Sequence, residues 1–213
     1  MRSEEAFLDE TIYAGLKLPV MEAFYTLQGE GAHQGKAAYF IRLAGCDVGC
    51  HWCDVKESWQ QEGHPIFTVE EIVEKAAANP ARLAVITGGE PLLHNLDKLT
   101  NSLHQEGFII NIETSGSSPL SGELDWICLS PKKFKNPLPE AYQKAHELKI
   151  IVFNEHDFRW AEEEASKVNE NCVLLLQPEW GRQEKMLPRI IEYVKQNPKW
   201  RISLQTHKFM QIP

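Results

Sequence analysis

Three cysteines stand close together, Cys46, Cys50 and Cys53, at spacing C-x3-C-x2-C, and Asp54 follows the last of them. Thiolates this near in sequence can converge on one metal centre. Two centres fit. A cluster of four irons takes four ligands, so three cysteines leave one iron open to an exchangeable ligand, which separates a working centre from a structural one. A tetrahedral zinc would take the same three thiolates plus a histidine, with His51 or His64 as the fourth ligand. Spacing alone leaves both open.

Other residues with chemical potential occur in short clusters. Gln28-Gly29-Glu30-Gly31 is a tight turn that presents polar side chains. Thr87-Gly88-Gly89-Glu90-Pro91 pairs two glycines, which let backbone approach a ligand closely. Arg42 sits near the end of an apolar run and, on its own, reads as a strand-edge arginine in a surface ion pair; the other reading, a guanidinium that pairs bidentately with a substrate carboxylate, rests on family resemblance.

The elements that position these clusters alternate. Strands are expected over residues 37–43, 83–86, 108–112, 126–129, 148–153, 172–176 and 201–204. Helices are expected over 69–78, from Leu92 to Gly107, and over 140–147, 157–168 and 184–196, with Pro188 tolerated in a first turn. Thr68-Val69-Glu70-Glu71 reads as a capping box. Residues 1–18 have no clean period and read as an arm or cap. Strands alternating with helices imply βαβ units and a parallel sheet. Seven strands fall short of an eight-fold barrel, so the fold class is α/β, a partial, open (β/α) barrel of about six to seven parallel strands in one domain, 1–213. The polar clusters fall where strands end, at 46–54, 87–91, 113–116, 130–132, 177–180 and 205–208. In such folds that rim builds the active site, which favours a working centre over a structural zinc.

Composition narrows the partners. At 213 residues, with 43% hydrophobic and 24% charged residues, the chain is an ordinary globular protein. A net charge of −8 argues against a nucleic-acid face and for a small-molecule substrate. The one locally basic stretch, Lys132-Lys133-Phe134-Lys135, reads as a solvated loop. No apolar run is long enough for a bilayer, no signal peptide is visible, and Cys128 and Cys172 read as buried and inert. These features fit a reducing, cytoplasmic setting.

The cysteine spacing after the first barrel strand, together with Thr87–Pro91, resembles the radical S-adenosylmethionine superfamily. Thr26–Gly31, Phe40–Cys46, Trp52-Cys53-Asp54, Glu113–Gly116, Ser130-Pro131-Lys132 and Gln205-Thr206-His207-Lys208 extend the resemblance, over Val20 to Pro213, to the 7-carboxy-7-deazaguanine synthase family. That resemblance implies a lyase of queuosine and 7-deazapurine biosynthesis. It would convert 6-carboxy-5,6,7,8-tetrahydropterin to 7-carboxy-7-deazaguanine with loss of ammonia, through a 5′-deoxyadenosyl radical and with the cofactor regenerated. It implies a [4Fe–4S] cluster on Cys46, Cys50 and Cys53. It implies S-adenosylmethionine held by Trp52, Cys53, Asp54, Gly89, Ser130, Pro131, Lys132, Gln177, Pro178, Glu179 and Trp180. The substrate would meet Leu27, Gln28, Gly29, Arg42, Thr87 and the carboxylate of Pro213. An electron donor such as flavodoxin or ferredoxin and a homodimer are implied as well. The chain departs from the family pattern at Val55, where many members carry a Thr or Ser that helps bind Mg²⁺. Lys56, which follows, reads either as a substitute for that charge or as a solvated loop lysine. A radical activase of a partner protein and a zinc-stapled binding domain are the rival readings.

Overall fold

The computed structural model describes residues 10–213. In chain order the strands are β1 (Lys17–Leu27), β2 (Ala37–Leu43), β3 (Ile66–Thr68), β4 (Leu83–Gly88), β5 (Ile109–Thr114), β6 (Trp126–Leu129), β7 (Glu147–Val152), β8 (Val173–Pro178) and β9 (Trp200–Ile202). The helices are α1 (Val69–Ala77), α2 (Asp97–Gln105), α3 (Pro139–Lys144), α4 (His156–Ala165), α5 (Gln183–Gln196) and α6 (Thr206–Met210). One sheet runs β3-β1-β2-β4-β5-β6-β7-β8-β9. From β2 to β9 all neighbours are parallel, seven strands in all. β3 and β9 end the sheet without meeting, so the barrel is open, as expected.

The seven predicted strands are these seven parallel ones. β1 and β3 are additions, antiparallel to β2 and to β1 respectively. Part of the expected arm is therefore sheet: Lys17 and Leu18 open β1, while residues 1–9 lie outside the described residues. β1 hides its period in the sequence because Pro19 and an irregularity between Val20 and Glu22 interrupt the alternation. The helix expected from Leu92 is divided. A 3₁₀ turn covers Pro91–Leu93, and α2 starts at Asp97, whose N–H donates to Asn95 Oδ1 at 2.9 Å. Pro188 is the sixth residue of α5 rather than part of its first turn, so it removes one intrahelical donor.

Period-2 alternation gives each central strand two environments. Ile110 and Ile112 of β5, and Leu148, Ile150 and Val152 of β7, face the helices and are fully buried in the core. The intervening residues face the barrel interior. There β5 supplies Asn111 and Glu113, β6 supplies Cys128, β7 supplies Glu147 and Lys149, and β8 supplies Gln177. The interior is thus polar, and every charge in it has a partner. Lys149 Nζ lies 2.6 Å from Glu30 Oε2 and 2.8 Å from Glu113 Oε2. Glu147 Oε2 accepts from the Ala32 N–H at 2.8 Å, and Gly31 N–H donates to Ser203 Oγ at 3.0 Å. The loop after β1 thereby plugs the bottom of the barrel.

Burial works to raise the Glu30 carboxyl, but the Lys149 ammonium and donors from Lys149, Gln205 and Gln177 bring it down to about 2. Burial also disfavours charge on Lys149, yet the carboxylates of Glu113, Glu30 and Glu147 hold it well above the ordinary lysine value. Glu113 is pushed up by burial; Lys149 opposes this, and Glu147 and Glu30 add to it. Burial and the carboxylates of Glu113 and Glu147 keep Cys128 a thiol, and burial pushes Cys172 up to about 12, so both are inert as expected.

Two substitutions separate a local from a central contribution. Thr68 Oγ1 accepts from Glu71 N–H at 3.2 Å and Glu71 Oε2 accepts from Thr68 N–H at 2.8 Å, completing the predicted capping box. Thr68→Ala should cost about 1 kcal/mol in urea unfolding. Lys149→Met leaves two buried carboxylates unpaired and should cost about 3–5 kcal/mol. With its pKa lowered from 4.5 to about 2, Glu30 stabilises the fold above its unfolded pKa, and that contribution is lost as pH falls from about 4.5 towards 2. Glu30→Gln should flatten that acid limb in pH-dependent unfolding.

Candidate active site

The C-terminal ends of the parallel strands surround a cavity of about 550 Å³. Cys46, Cys50 and Cys53 all line it, on the loop that leaves β2. That loop is held by backbone. Gly45 N–H donates to Ser58 O at 2.7 Å and Cys46 N–H to Trp59 O at 3.0 Å, so the segment after Asp54 folds back beneath the cysteines. From the neighbouring strand, Gly89 N–H donates to Leu43 O at 3.1 Å and Glu90 N–H to Gly45 O at 2.8 Å. A Cβ on Gly88 would lie 2.1 Å from Leu43 O, and one on Gly89 would lie 2.3 Å from Gly45 O. The paired glycines are therefore needed for the chain's own close approach as well as for any ligand.

Glu90 secures the next strand end. Its buried carboxylate accepts from Thr114 Oγ1 at 2.5 Å, from Ser115 N–H at 2.8 Å, and from the Ser115 hydroxyl. The C-terminal segment closes the far rim. Thr206 N–H and Oγ1 both donate to Gly29 O at 2.9 Å. A Cβ on Gly29 would lie 2.2 Å from His207 Nδ1, so this glycine makes room for the segment. Lys208 Nζ is 2.8 Å from Asp54 Oδ2. Burial works to raise Asp54, but Lys208 and Gln205 hold it below the usual carboxylate value. Thr26 Oγ1 donates to Pro213 O at 3.3 Å, placing Pro213 at the cavity.

Every predicted site residue lines this cavity except Pro131, which is buried behind Ser130 and Lys132. Lys132 Nζ folds onto Ser130, 2.8 Å from its Oγ, and burial lowers its pKa. Arg42 Nε sits 2.6 Å from Glu22 Oε1, so its guanidinium is paired but borders the cavity. Of the two readings of Lys56, the solvated lysine is the one the structure shows. It is exposed, does not line the cavity, and its ammonium lies over the Trp59 ring at 5.8 Å. The cation beside Asp54 is Lys208. Also lining the cavity, and not assigned from sequence, are Glu22, Glu30, Glu113, Lys149, Gln205 and His207. Lys149 had a signal of its own, since a lysine within the apolar run Leu148–Val152 has to be buried against partners.

The donor set fits a cluster better than zinc. Zn–S bonds of 2.3 Å would bring the sulfurs within roughly 3.8 Å of one another. Among the described residues, the one group of three Cys, His, Asp or Glu ligand atoms within 4.8 Å of one another is Glu113, Cys128 and Glu147. The cysteine loop is more open than that. His64 Nε2 is engaged with Glu57 O at 2.9 Å, and His51 packs on Trp52, Phe134 and Phe153. Three thiols spread around one end of a cavity, with a glycine cradle beside them, suit a larger cluster with a ligand bound next to it. No helix among the described residues is long and apolar enough to cross a membrane.

Comparison with known proteins agrees with this geometry. The profile of the Radical SAM superfamily matches residues 40–151. A 7-carboxy-7-deazaguanine synthase of Flavobacterium psychrophilum is 58% identical over 199 residues, covering 93% of this chain and 94% of that one. One from Synechocystis is 48% identical, covering 91% and 93%. The crystal structure of QueE from Escherichia coli superposes with a TM-score of 0.82 at 31% identity, over 96% of this chain and 99% of the other. The Radical SAM match over half of the chain and relatives up to 58% identical over more than nine-tenths of both chains place this chain in the 7-carboxy-7-deazaguanine synthase family of the radical SAM superfamily.

Proposed function

We propose that this chain, acting as one domain, converts 6-carboxy-5,6,7,8-tetrahydropterin to 7-carboxy-7-deazaguanine with loss of ammonia. The setting is cytoplasmic, the assembly a homodimer, and an electron-donor protein supplies the reducing equivalent. The observation that carries this reading is the convergence, in one cavity, of the three-cysteine loop, the Gly88-Gly89 turn and a charged polar floor. When bound, a [4Fe–4S] cluster and S-adenosylmethionine supply the radical chemistry that no side chain can.

The chain's residues hold and orient. Cys46, Cys50 and Cys53 bind the cluster. Trp52, Asp54, Gly89, Ser130, Lys132 and Gln177 to Trp180 border the space beside it and hold S-adenosylmethionine, with Pro131 fixing the backbone between Ser130 and Lys132. Leu27, Gln28, Gly29, Arg42, Thr87 and Pro213 hold the pterin. Arg42 exchanges Glu22 for the substrate carboxylate, a bidentate match in a site that contains many carboxylates. Glu30 and Glu113, fixed by Lys149, offer acceptors to the N–H groups of a pterin ring. From the C-terminal segment, Gln205, His207, Lys208 and Pro213 border the same space.

Mg²⁺ does not fit the residues present. Val55 lines the cavity where a hydroxyl ligand would be needed, and the Lys208 ammonium already neutralises Asp54. Turnover in metal-free buffer should therefore equal turnover with millimolar Mg²⁺. Activity abolished by chelation of Mg²⁺ and restored by the ion would refute this.

The decisive assay combines anaerobic protein, dithionite, S-adenosylmethionine and 6-carboxytetrahydropterin. Chromatography should show the deazaguanine accumulating past one turnover. A four-iron protein that cleaves S-adenosylmethionine but leaves the pterin intact would overturn the substrate assignment. Arg42→Gln should raise KM roughly 10- to 150-fold, the worth of one charged hydrogen-bonded contact.

A further inference from the structure

Cys50 and Cys53 sit in a stretch that backbone does not hold. Residues 46–54 form neither helix nor strand. Gly45 and Cys46 are tied to Ser58 and Trp59 at the entry to the loop. Beyond that, among the described residues, the one backbone-to-backbone hydrogen bond made by residues 47–53 is internal, from Cys53 N–H to Cys50 O at 3.0 Å. Such a loop opens at low cost unless side chains restrain it.

The restraining side chains come largely from one place. The basic stretch Lys132-Lys133-Phe134-Lys135, expected to be a solvated loop, is a hairpin packed on the cysteine loop. Lys132 and Lys135 form an isolated antiparallel bridge, with Lys135 N–H donating to Lys132 O at 3.2 Å. Lys135 Nζ lies 2.5 Å from Asp47 Oδ2. The Phe134 ring meets Trp52 at 5.1 Å and His51 at 5.7 Å. Trp52 and His51 each also meet Phe153 at 5.8 Å. The hairpin is anchored in turn by Asp157, which is buried and pairs with Lys133. Asp157 Oδ2 accepts from Phe153 N–H at 2.7 Å and from Asn154 N–H at 2.8 Å. One carboxylate thus fixes both the hairpin and the turn that carries Phe153.

We propose that this hairpin is a clasp, with Phe134 and Lys135 as positioning residues that hold the cysteine loop ready for its cluster and slow the cluster's loss. The inference rests on the proposed cluster site. Three thiolates that converge on one centre give up chain freedom as they do so. A loop already restrained gives up less, and the difference appears as tighter retention. The contacts are placed where they act most directly. Asp47 follows Cys46, and His51 and Trp52 fill the interval between Cys50 and Cys53. Lys132 of the same hairpin lines the cavity, so the clasp joins the outer side of the loop to the space where its cofactor would lie.

The test uses the full chain with Phe134→Ser, Lys135→Gln, Asp47→Asn, the exchanged pair Asp47→Lys/Lys135→Asp, and Lys195→Gln on the distant helix α5 as control. Urea unfolding of the cluster-free protein should match the parent in every variant, because the contacts restrain a loop and not the core. In that cluster-free protein, alkylation of Cys50 by iodoacetamide, read by peptide mass, should be about two- to fivefold faster in Lys135→Gln and Asp47→Asn. In Phe134→Ser it should be about two- to tenfold faster. In anaerobically reconstituted protein, loss of visible absorbance to excess EDTA should quicken by similar factors. Phe134→Tyr, which keeps the ring, and the exchanged pair should bring both rates back to within about twofold of the parent. Unchanged rates in both Phe134→Ser and Lys135→Gln would overturn the clasp. So would an exchanged pair no better than its single variants, or losses of urea stability that account for the faster rates. A parent that takes up no iron, with Cys50 still exposed in the variants, would instead overturn the cluster site and leave the clasp standing.

Discussion

The site depends on one contact between two stretches of backbone. β2 and β4 are parallel neighbours, so their C-terminal ends arrive side by side, Leu43 against Gly88. The next residues of β4 then donate back to Leu43 O and Gly45 O. That approach leaves no room for a Cβ on either Gly88 or Gly89, and Gly88 has a positive φ of 150° that disfavours side chains in any case. The consequence is positional. Cys46 follows Gly45 directly, so the strand that carries the glycine turn also sets where the cysteine loop begins. Glu90 then ties the same turn to the end of β5. Three strand ends are fixed relative to one another before any ligand is bound, which is how a site keeps reacting groups in register at low entropic cost.

The interior follows from the same alternation but with opposite chemistry. One face of each strand packs against helices and needs only apolar residues. The other face encloses the cavity and has to carry charge without leaving any of it unpaired. A buried ion pair seldom adds net stability over an apolar replacement. The Glu30–Lys149–Glu113 arrangement is better understood as a way of presenting two carboxylates at fixed positions. Lys149 holds both, Gln205 Nε2 donates to Glu30 at 2.9 Å, and Gln28 Nε2 donates to Glu113 at 3.2 Å. The two carboxyls differ in proton affinity, Glu30 lowered and Glu113 raised, because they share one ammonium unequally among several negative neighbours.

Much of this was legible in the sequence, for physical reasons. Buried parallel strands are continuous apolar runs, and polar clusters interrupt them only where a strand ends, so the rim could be read in order. The capping box at Thr68 and Glu71 is a purely local signal, and it appears in the structure as read. β1 was not legible because Pro19 and the irregularity near Val20 break its alternation, and because its partner β2 lies across the Gln28–Lys36 loop. The two readings of Lys56 were not separable locally for a different reason. Adjacency in sequence to Asp54 suggested adjacency in space, but the 3₁₀ turn over Lys56–Trp59 turns that side chain outwards. The cation that meets Asp54 comes from Lys208, more than a hundred residues away, and no local pattern announces such a pairing.

How the barrel is completed bears on how it opens. Strand ladders hold β1 through β9 together, but the gap between the two ends of the sheet has no ladder. It is closed by a few hydrogen bonds from loops: Gly31 to Ser203, a pair from Thr206 to Gly29, Gln205 to Glu30, and Lys208 to Asp54. Each of these can break without costing a neighbouring bond, whereas a strand cannot leave a ladder one residue at a time. Local opening takes the path of lowest cooperative cost. The seam under residues 205–213 is therefore the part of the rim that yields first. It lies against Gly29 and Asp54, both among the groups proposed to bind the ligands.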